Sequence, residues 1–165
     1  MEKVVRAEDA GPEGLTEEQM RQNVINLAFD GDADKFQEFC DLIHVAVPPN
    51  TTAVLRGSSI TGERYKDGAP FDADGPGTSD LDLTLVGDEV IEYFNYLTGS
   101  YLPGVHTMPM GEDHPGIAPD LEPLREKLVS MVGRPVNIQA TRDFFMYIRG
   151  EVIGQPYLTL FGKVG

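Results

Sequence analysis

From Thr16 the chain reads TEEQMRQNVINLAF, in which Met20, Val24, Leu27 and Ala28 recur at helical spacing behind a Thr cap and two acids. This predicts a helix that ends at the Gly31 break. Asp32 then caps a second predicted helix with an apolar stripe of Phe36, Phe39, Cys40, Ile43 and Val47, stopped by Pro48 and Pro49. Thr52 to Gly57 reads as a short buried strand, and the Gly57-Ser58-Ser59 turn after it opens a short helical segment through Ile60. In SDLDLTLV, Leu81, Leu83 and Leu85 alternate with Asp80, Asp82 and Thr84, the period of a strand buried on one face. DEVIEYFNYL places Val90, Ile91, Phe94 and Leu97 on one helical stripe. Pro119 or Asp120 starts a further helix through Val132, with Leu121, Leu124, Leu128 and Met131 in register and Gly133 at its end. VNIQ alternates again, TRDFFMYIRGEV predicts a buried helix, and GQPYLTLFGKVG predicts a last short strand at a sheet edge.

Strands separated by helices imply an α/β fold: a small mixed twisted sheet backed by helices on one side, with an open cleft on the other and two N-terminal helices packed on the core. Residues 1 to 14 mix charge with Gly and Pro and predict a flexible tail, leaving 15 to 165 as a single domain. At 165 residues and 41% hydrophobic, the chain suffices for one core of ordinary size. No apolar run approaches the roughly 20 residues of a membrane span, and MEKVVRAEDA lacks the apolar core of a signal peptide. A cytoplasmic protein with no membrane partner is the expectation. One cysteine cannot form an internal disulfide, and Cys40 reads as core.

Charge narrows the partners. Twenty-seven Asp and Glu against 13 Lys and Arg give a formal charge of -14, which disfavours a broad grip on the phosphates of a long nucleic acid. His44 reads as a boundary residue of the second helix. His106 and His114 lack the spacing of a helical metal motif and are expected to face solvent.

The chemistry-bearing stretch runs from Val54 to Val86. Asp80 and Asp82 sit at i and i+2 of one strand, about 6.5 to 7 Å apart at Cα, so both carboxylates face the same way and can converge on one hard cation. Gly57 lets the backbone approach a ligand closely, and the following amides and hydroxyls of Ser58 and Ser59 are donors suited to phosphate oxygens. The plainer alternative is an ordinary hairpin with polar turn residues. Between the two halves lies GERYKDGAPFDADGPGTS, rich in Gly, Pro and Asp. It reads either as a gating flap with Arg64 and Lys66 toward a triphosphate and Asp72 and Asp74 outward or on a cation, or as a plain insertion. A calcium-loop reading of FDADGPGTSDLD is weakened by Pro76.

The ordered pair of a strand ending in Gly57-Ser58 and a strand carrying Asp80-x-Asp82, preceded by Thr78 and Ser79, resembles the DNA polymerase beta-like nucleotidyltransferase superfamily. The resemblance spans Thr52 to Phe161 in the order of elements and only these two motifs in residue identity. It implies transfer of a nucleoside monophosphate from an NTP to a hydroxyl with Mg²⁺, Asp80 and Asp82 holding the metals and Gly57, Ser58 and Ser59 seating phosphates. Arg56, Arg64, Lys66 and Arg142 are candidate counter-charges. The family commonly supplies a third acid from a pattern like Val-Asp-Leu-Val, and in VNIQ the matching position is Asn137, an amide that is a weaker ligand and no general base. With a shifted alignment Asp143 serves instead. Acidity directs the expectation for the acceptor toward a small molecule or a protein hydroxyl, and the short chain resembles antitoxin-type nucleotidyltransferases that modify a partner protein. Asn137 also motivates a second reading, a non-catalytic nucleotide-binding or protein-interaction module. A third is a cation-binding acidic protein without nucleotide chemistry.

Overall fold

The computed structural model describes residues 15–64, 67–96, 98–102, 105–114, 116–144 and 156–162. The expected tail at 1–14, Lys66, Leu97 and all but the start of TRDFFMYIRGEV lie outside them.

Helix α1 (Glu17–Ala28) opens on a reciprocal cap: Gln19 N donates to Thr16 Oγ1 at 3.1 Å, and Thr16 N donates to Gln19 Oε1 at 3.0 Å. Its buried face is Met20, Val24, Ile25 and Ala28, together with Asn23 and Asn26, whereas Leu27 is half-buried. The stripe is therefore rotated from the expected one, because Asn23 is drawn inward to donate to the carbonyl of Ile60 at 2.8 Å. Helix α2 (Ala33–Ala46) is capped by Asp32, whose Oδ1 accepts from Lys35 N at 3.0 Å. Its Phe36, Phe39, Cys40 and Ile43 are buried as the pattern predicted.

Strand β1 (Thr52–Arg56) leads into a single-turn helix α3 (Ser58–Thr61), and β2 (Leu81–Val86) follows the long loop. Beyond β2 the chain makes a 3-10 turn at Val90–Tyr93, short strands β3 (Ser100–Leu102) and β4 (His106–Thr107), and a 3-10 turn at Pro119–Leu121. Helix α4 (Glu122–Val132), β5 (Val136–Thr141) and β6 (Tyr157–Phe161) complete it. Among the described residues the strands form one six-stranded sheet in the order β3-β4-β5-β2-β1-β6. β2 and β5 are parallel and the remaining pairs antiparallel, so the sheet is mixed. Leu55, Leu81, Leu83, Leu85, Val136 and Ile138 turn one face onto the helices and are almost fully enclosed. The expected mixed α/β architecture with two N-terminal helices is what the chain adopts.

Three expectations are corrected. The amphipathic helix over DEVIEYFNYL is replaced by the 3-10 turn: Asn95 N donates to the Ile117 carbonyl at 2.6 Å and Asn95 Oδ1 accepts from Thr98 N at 3.1 Å, which ends the helix while Val90, Ile91 and Phe94 still reach the core. His106 is buried rather than solvent-facing, because its segment is a strand paired with Thr141 and its Nδ1 lies 2.5 Å from Thr141 Oγ1. His114 is half-buried. The sheet face opposite the helices is not an open cleft along its length. Val54, Thr84, Gln139 and Thr141 are buried there, and the face is half-buried rather than closed at its two ends, at Asp82 and Asn137 on one and at Val86 on the other.

Candidate functional site

Strand register builds the site. Arg56 on β1 stands opposite Asp82 on β2, and Asp82 opposite Asn137 on β5, so three polar side chains lie in one row across the sheet. Neighbouring strands are about 4.8 Å apart, which is contact distance for such side chains. One step before β2, Asp80 reaches the same point. Asn137 Nδ2 donates to Asp80 Oδ2 at 2.6 Å and to Asp82 Oδ1 at 3.2 Å. The predicted convergence of Asp80 and Asp82 is thus present, with Asn137 between them.

Gly57 closes the other side. Its φ of 102° is a backbone conformation suited to glycine, and a Cβ there would stand 2.9 Å from Asp82 Oδ2. A second glycine does the same for Asn137: a Cβ on Gly111 would collide with Asn137 Oδ1. Gly111 follows the bridge between Met110 and Ile138, so the Gly- and Pro-rich segment after β4 borders the site, which nothing in its composition announced. Ser58 begins α3 half-exposed beside Gly57. Ser59 is fully enclosed, with no hydrogen-bond partner for its Oγ among the described residues.

The arginines are distributed differently from the expectation. Arg56 Nη1 is 3.9 Å from Asp82 Oδ2, and its Nη2 donates to Gln139 Oε1 at 2.6 Å, which lays the guanidinium along the sheet face. Arg64 is held inside the long loop by Asp67 and Asp74, each at 3.2 Å. Arg142 lies at the far end of β5, roughly 16 Å along the strand from Asn137, and pairs with Asp88 at 3.5 Å. Asp143 is exposed at that same end and does not take the place of a third site carboxylate. Asp82 feels this environment: burial and then the neighbouring Asp80 push its carboxyl above the ordinary aspartate value, against the opposing pull of Arg56 and the Asn137 amide.

The long loop is a pinned structure. Asp72 turns inward, and Arg134, just past α4, donates to it from Nη1 at 2.7 Å and from Nη2 at 3.1 Å. Arg134 Nη1 also donates to the Ser79 carbonyl at 2.9 Å, and the guanidinium lies over the Phe71 ring at 4.5 Å. Ser79 is further fixed because its N donates to Asp72 Oδ1 at 3.0 Å and its Oγ accepts from Asp72 N at 2.7 Å. Every polar group of the residue before Asp80 is engaged. Asp72, expected outward or on a cation, is instead a positioning residue paired with Arg134, which the sequence left unnamed; the signal was an arginine set between a helix-ending glycine and Pro135.

Among the described residues, no three His, Cys, Asp or Glu side chains converge as a metal-holding group. The donor set still fits a small hard cation. Mg²⁺ takes one or two carboxylates and fills its remaining positions with water and phosphate oxygens, and Asp80 and Asp82 direct an oxygen each at one point, held in this structure by the Asn137 amide nitrogen. Among the described residues, no helix is long and apolar enough to cross a membrane. No protein-family model, curated protein or solved structure matches this chain.

Proposed function

We propose that the end of the sheet carrying Asp80 and Asp82 binds an NTP with Mg²⁺ and transfers its nucleoside monophosphate to a hydroxyl of a small molecule or a protein. The observation that carries this reading is the convergence of Asp80 and Asp82 on one hydrogen-bond donor, next to the glycine that opens α3. In the reaction the acceptor oxygen forms a bond to the α-phosphorus, the bridging bond to the β-phosphate breaks, pyrophosphate leaves, and the hydroxyl proton passes to solvent. Bound Mg²⁺ supplies charge stabilisation for such an in-line displacement. Asp80 and Asp82 would hold it. Gly57 admits the phosphates close to the backbone, with the Ser58 hydroxyl beside them, and Arg56 moderates the repulsion between Asp82 and an incoming anion. Acidity of the whole chain makes a long polynucleotide a poor acceptor.

A second reading is supported by one specific feature. By the resemblance, Asn137 matches the position at which the superfamily commonly carries a third carboxylate able to accept the acceptor's proton, and an amide has no such capacity. A module that binds nucleotide without transferring it fits that substitution. Calorimetric titration with ATP and GTP, with and without Mg²⁺, on the wild type and on the Asp80→Asn/Asp82→Asn double variant tests both. Mg²⁺-dependent binding lost in the variant supports a metal–nucleotide site, and label from an α-phosphate-labelled NTP on an acceptor supports transfer. Binding without transfer under any acceptor favours the second reading, and no binding of either triphosphate refutes both.

A further inference from the structure

Asn137 was expected to be a metal ligand, and its geometry points to the opposite role. We infer that Asn137 is an internal competitor of the cation: its amide nitrogen occupies the point to which Asp80 and Asp82 both direct an oxygen, and a divalent cation must displace it to bind. This rests on the reading above that the two aspartates are the cation's ligands.

Three observations carry the inference. The nitrogen, not the oxygen, is between the carboxylates, donating at 2.6 Å to Asp80 and 3.2 Å to Asp82. The reverse orientation would set a carbonyl oxygen against two anionic oxygens, so in the absence of a cation the pair itself fixes which way the amide faces. Second, the side-chain oxygen is seated against Gly111, where even one added carbon would collide with it. Third, Asn137 is anchored at the start of β5 directly opposite Asp82, and the Met110–Ile138 bridge fixes the backbone next to it, so its amide cannot retreat along the strand. The same NH₂ group cannot donate to both carboxylates and leave them for a cation. A cation without nucleotide must therefore break two charge-assisted hydrogen bonds, whereas one arriving with a triphosphate brings phosphate oxygens as additional ligands and new acceptors for the displaced amide.

The sign of one substitution decides the matter. A ligand, when removed, weakens metal binding; a competitor, when removed, strengthens it. Mn²⁺ alone, titrated by calorimetry and by electron paramagnetic resonance of the free ion, is the probe for wild type, Asn137→Ala, Asn137→Ser, Asn137→Asp and the Asp80→Asn/Asp82→Asn control. Thermal melts in chelator confirm that each is folded, and Asn137→Ser, which retains a polar group, serves where the alanine variant does not fold. Asn137→Ala or Asn137→Ser should bind Mn²⁺ about tenfold more tightly than wild type, the worth of one hydrogen bond to a charged group, and Asn137→Asp more tightly still. Equal or weaker binding by the Ala and Ser variants overturns the inference, as does absence of Mn²⁺ binding in every protein. Titration of wild type with Mg²⁺ and ATP separates the two ideas. Mn²⁺ affinities in the expected order with no triphosphate binding sink the nucleotide reading alone; Mg²⁺-dependent ATP binding with the affinities reversed sinks the competitor role alone.

Discussion

Replacing Arg134 by methionine tests whether the long loop is a structural clasp. The side chain is almost entirely buried, yet it touches three parts of the site's support: Asp72, the Ser79 carbonyl and the Phe71 ring. Methionine keeps most of the stem's volume and removes the charge. Breaking a buried ion pair costs roughly 3 to 5 kcal/mol, and the low end applies because Asp72 is partly exposed and keeps hydrogen bonds from the Ser79 and Gly77 amides. Loss of the contact over Phe71 adds about 0.5 to 1 kcal/mol. Against this, Arg134 Nε is buried without a partner among the described residues, and its removal returns about 1 kcal/mol. The net expectation is about 2 to 3 kcal/mol, which for a chain of this size lowers Tm by roughly 5 to 10 °C.

Urea and thermal unfolding at neutral pH measure the loss, and acid titration supplies an independent check. Burial raises the Asp72 carboxyl, but hydrogen bonds from Arg134 and the Ser79 and Gly77 amides outweigh it, and the net value lies below the ordinary one. A depressed carboxyl contributes stability that is complete above the unfolded-state value of about 3.9 and is lost as pH falls through the folded-state value. The wild type should therefore lose stability below about pH 4 more steeply than Arg134→Met. A loss below about 1 kcal/mol at pH 7, with an unchanged acid limb, would refute the clasp, since surface pairs are worth that little.

Gly57→Ala should destabilise by roughly 1 to 3 kcal/mol, because alanine must adopt φ 102° and its Cβ meets Asp82 Oδ2 at 2.9 Å; urea melts measure it, and Mg²⁺-dependent nucleotide binding should fall in the same variant. Asp82→Asn should leave the fold as stable as wild type or more so, since burial and Asp80 both act against its charge, while nucleotide binding is lost; a large drop in Tm would contradict this. Cys40 should resist thiol reagents in the native protein and react fully after unfolding, because burial pushes its thiol up to about 12. Thr16→Ala, which removes one arm of the α1 capping box, should cost about 1 kcal/mol in the same melts.

The parts of this fold that were legible are those whose burial repeats along the chain. β2 and β5 show their buried face in the alternation of Leu81, Leu83 and Leu85 and of Val136 and Ile138, which put Asp82 and Asn137 on the polar side of their strands, while the pairing that sets them side by side is visible only in the structure. Where stability comes from a distant partner, the local pattern misleads. The stripe at Val90, Ile91 and Phe94 is genuinely buried, yet its segment is tied to Ile117 and makes no α-helix. β3 and β4 are too short to carry a period and exist through their pairing with each other and with β5. The Asp72–Arg134 pair joins residues 62 positions apart, and no propensity links them.

That pairing of charges also constrains what the site can hold. Among the described residues, Arg56 is already engaged with Asp82 and Gln139, Arg64 with Asp67 and Asp74, and Arg134 with Asp72. Arg142 is at the opposite end of its strand. On a chain of formal charge -14, with two carboxylates facing the same point, a bare triphosphate meets net repulsion there. With the described arginines engaged, a cation arriving with it supplies the counter-charge. Nucleotide binding at this site should therefore depend on a divalent cation far more than on ionic strength, and triphosphate affinity in chelator should be no better in the wild type than in Asp80→Asn/Asp82→Asn. If the double variant binds ATP without metal and the wild type does not, repulsion by the aspartates is the reason. If the wild type binds ATP equally well with and without Mg²⁺, the phosphates sit elsewhere and the carboxylate pair has another use.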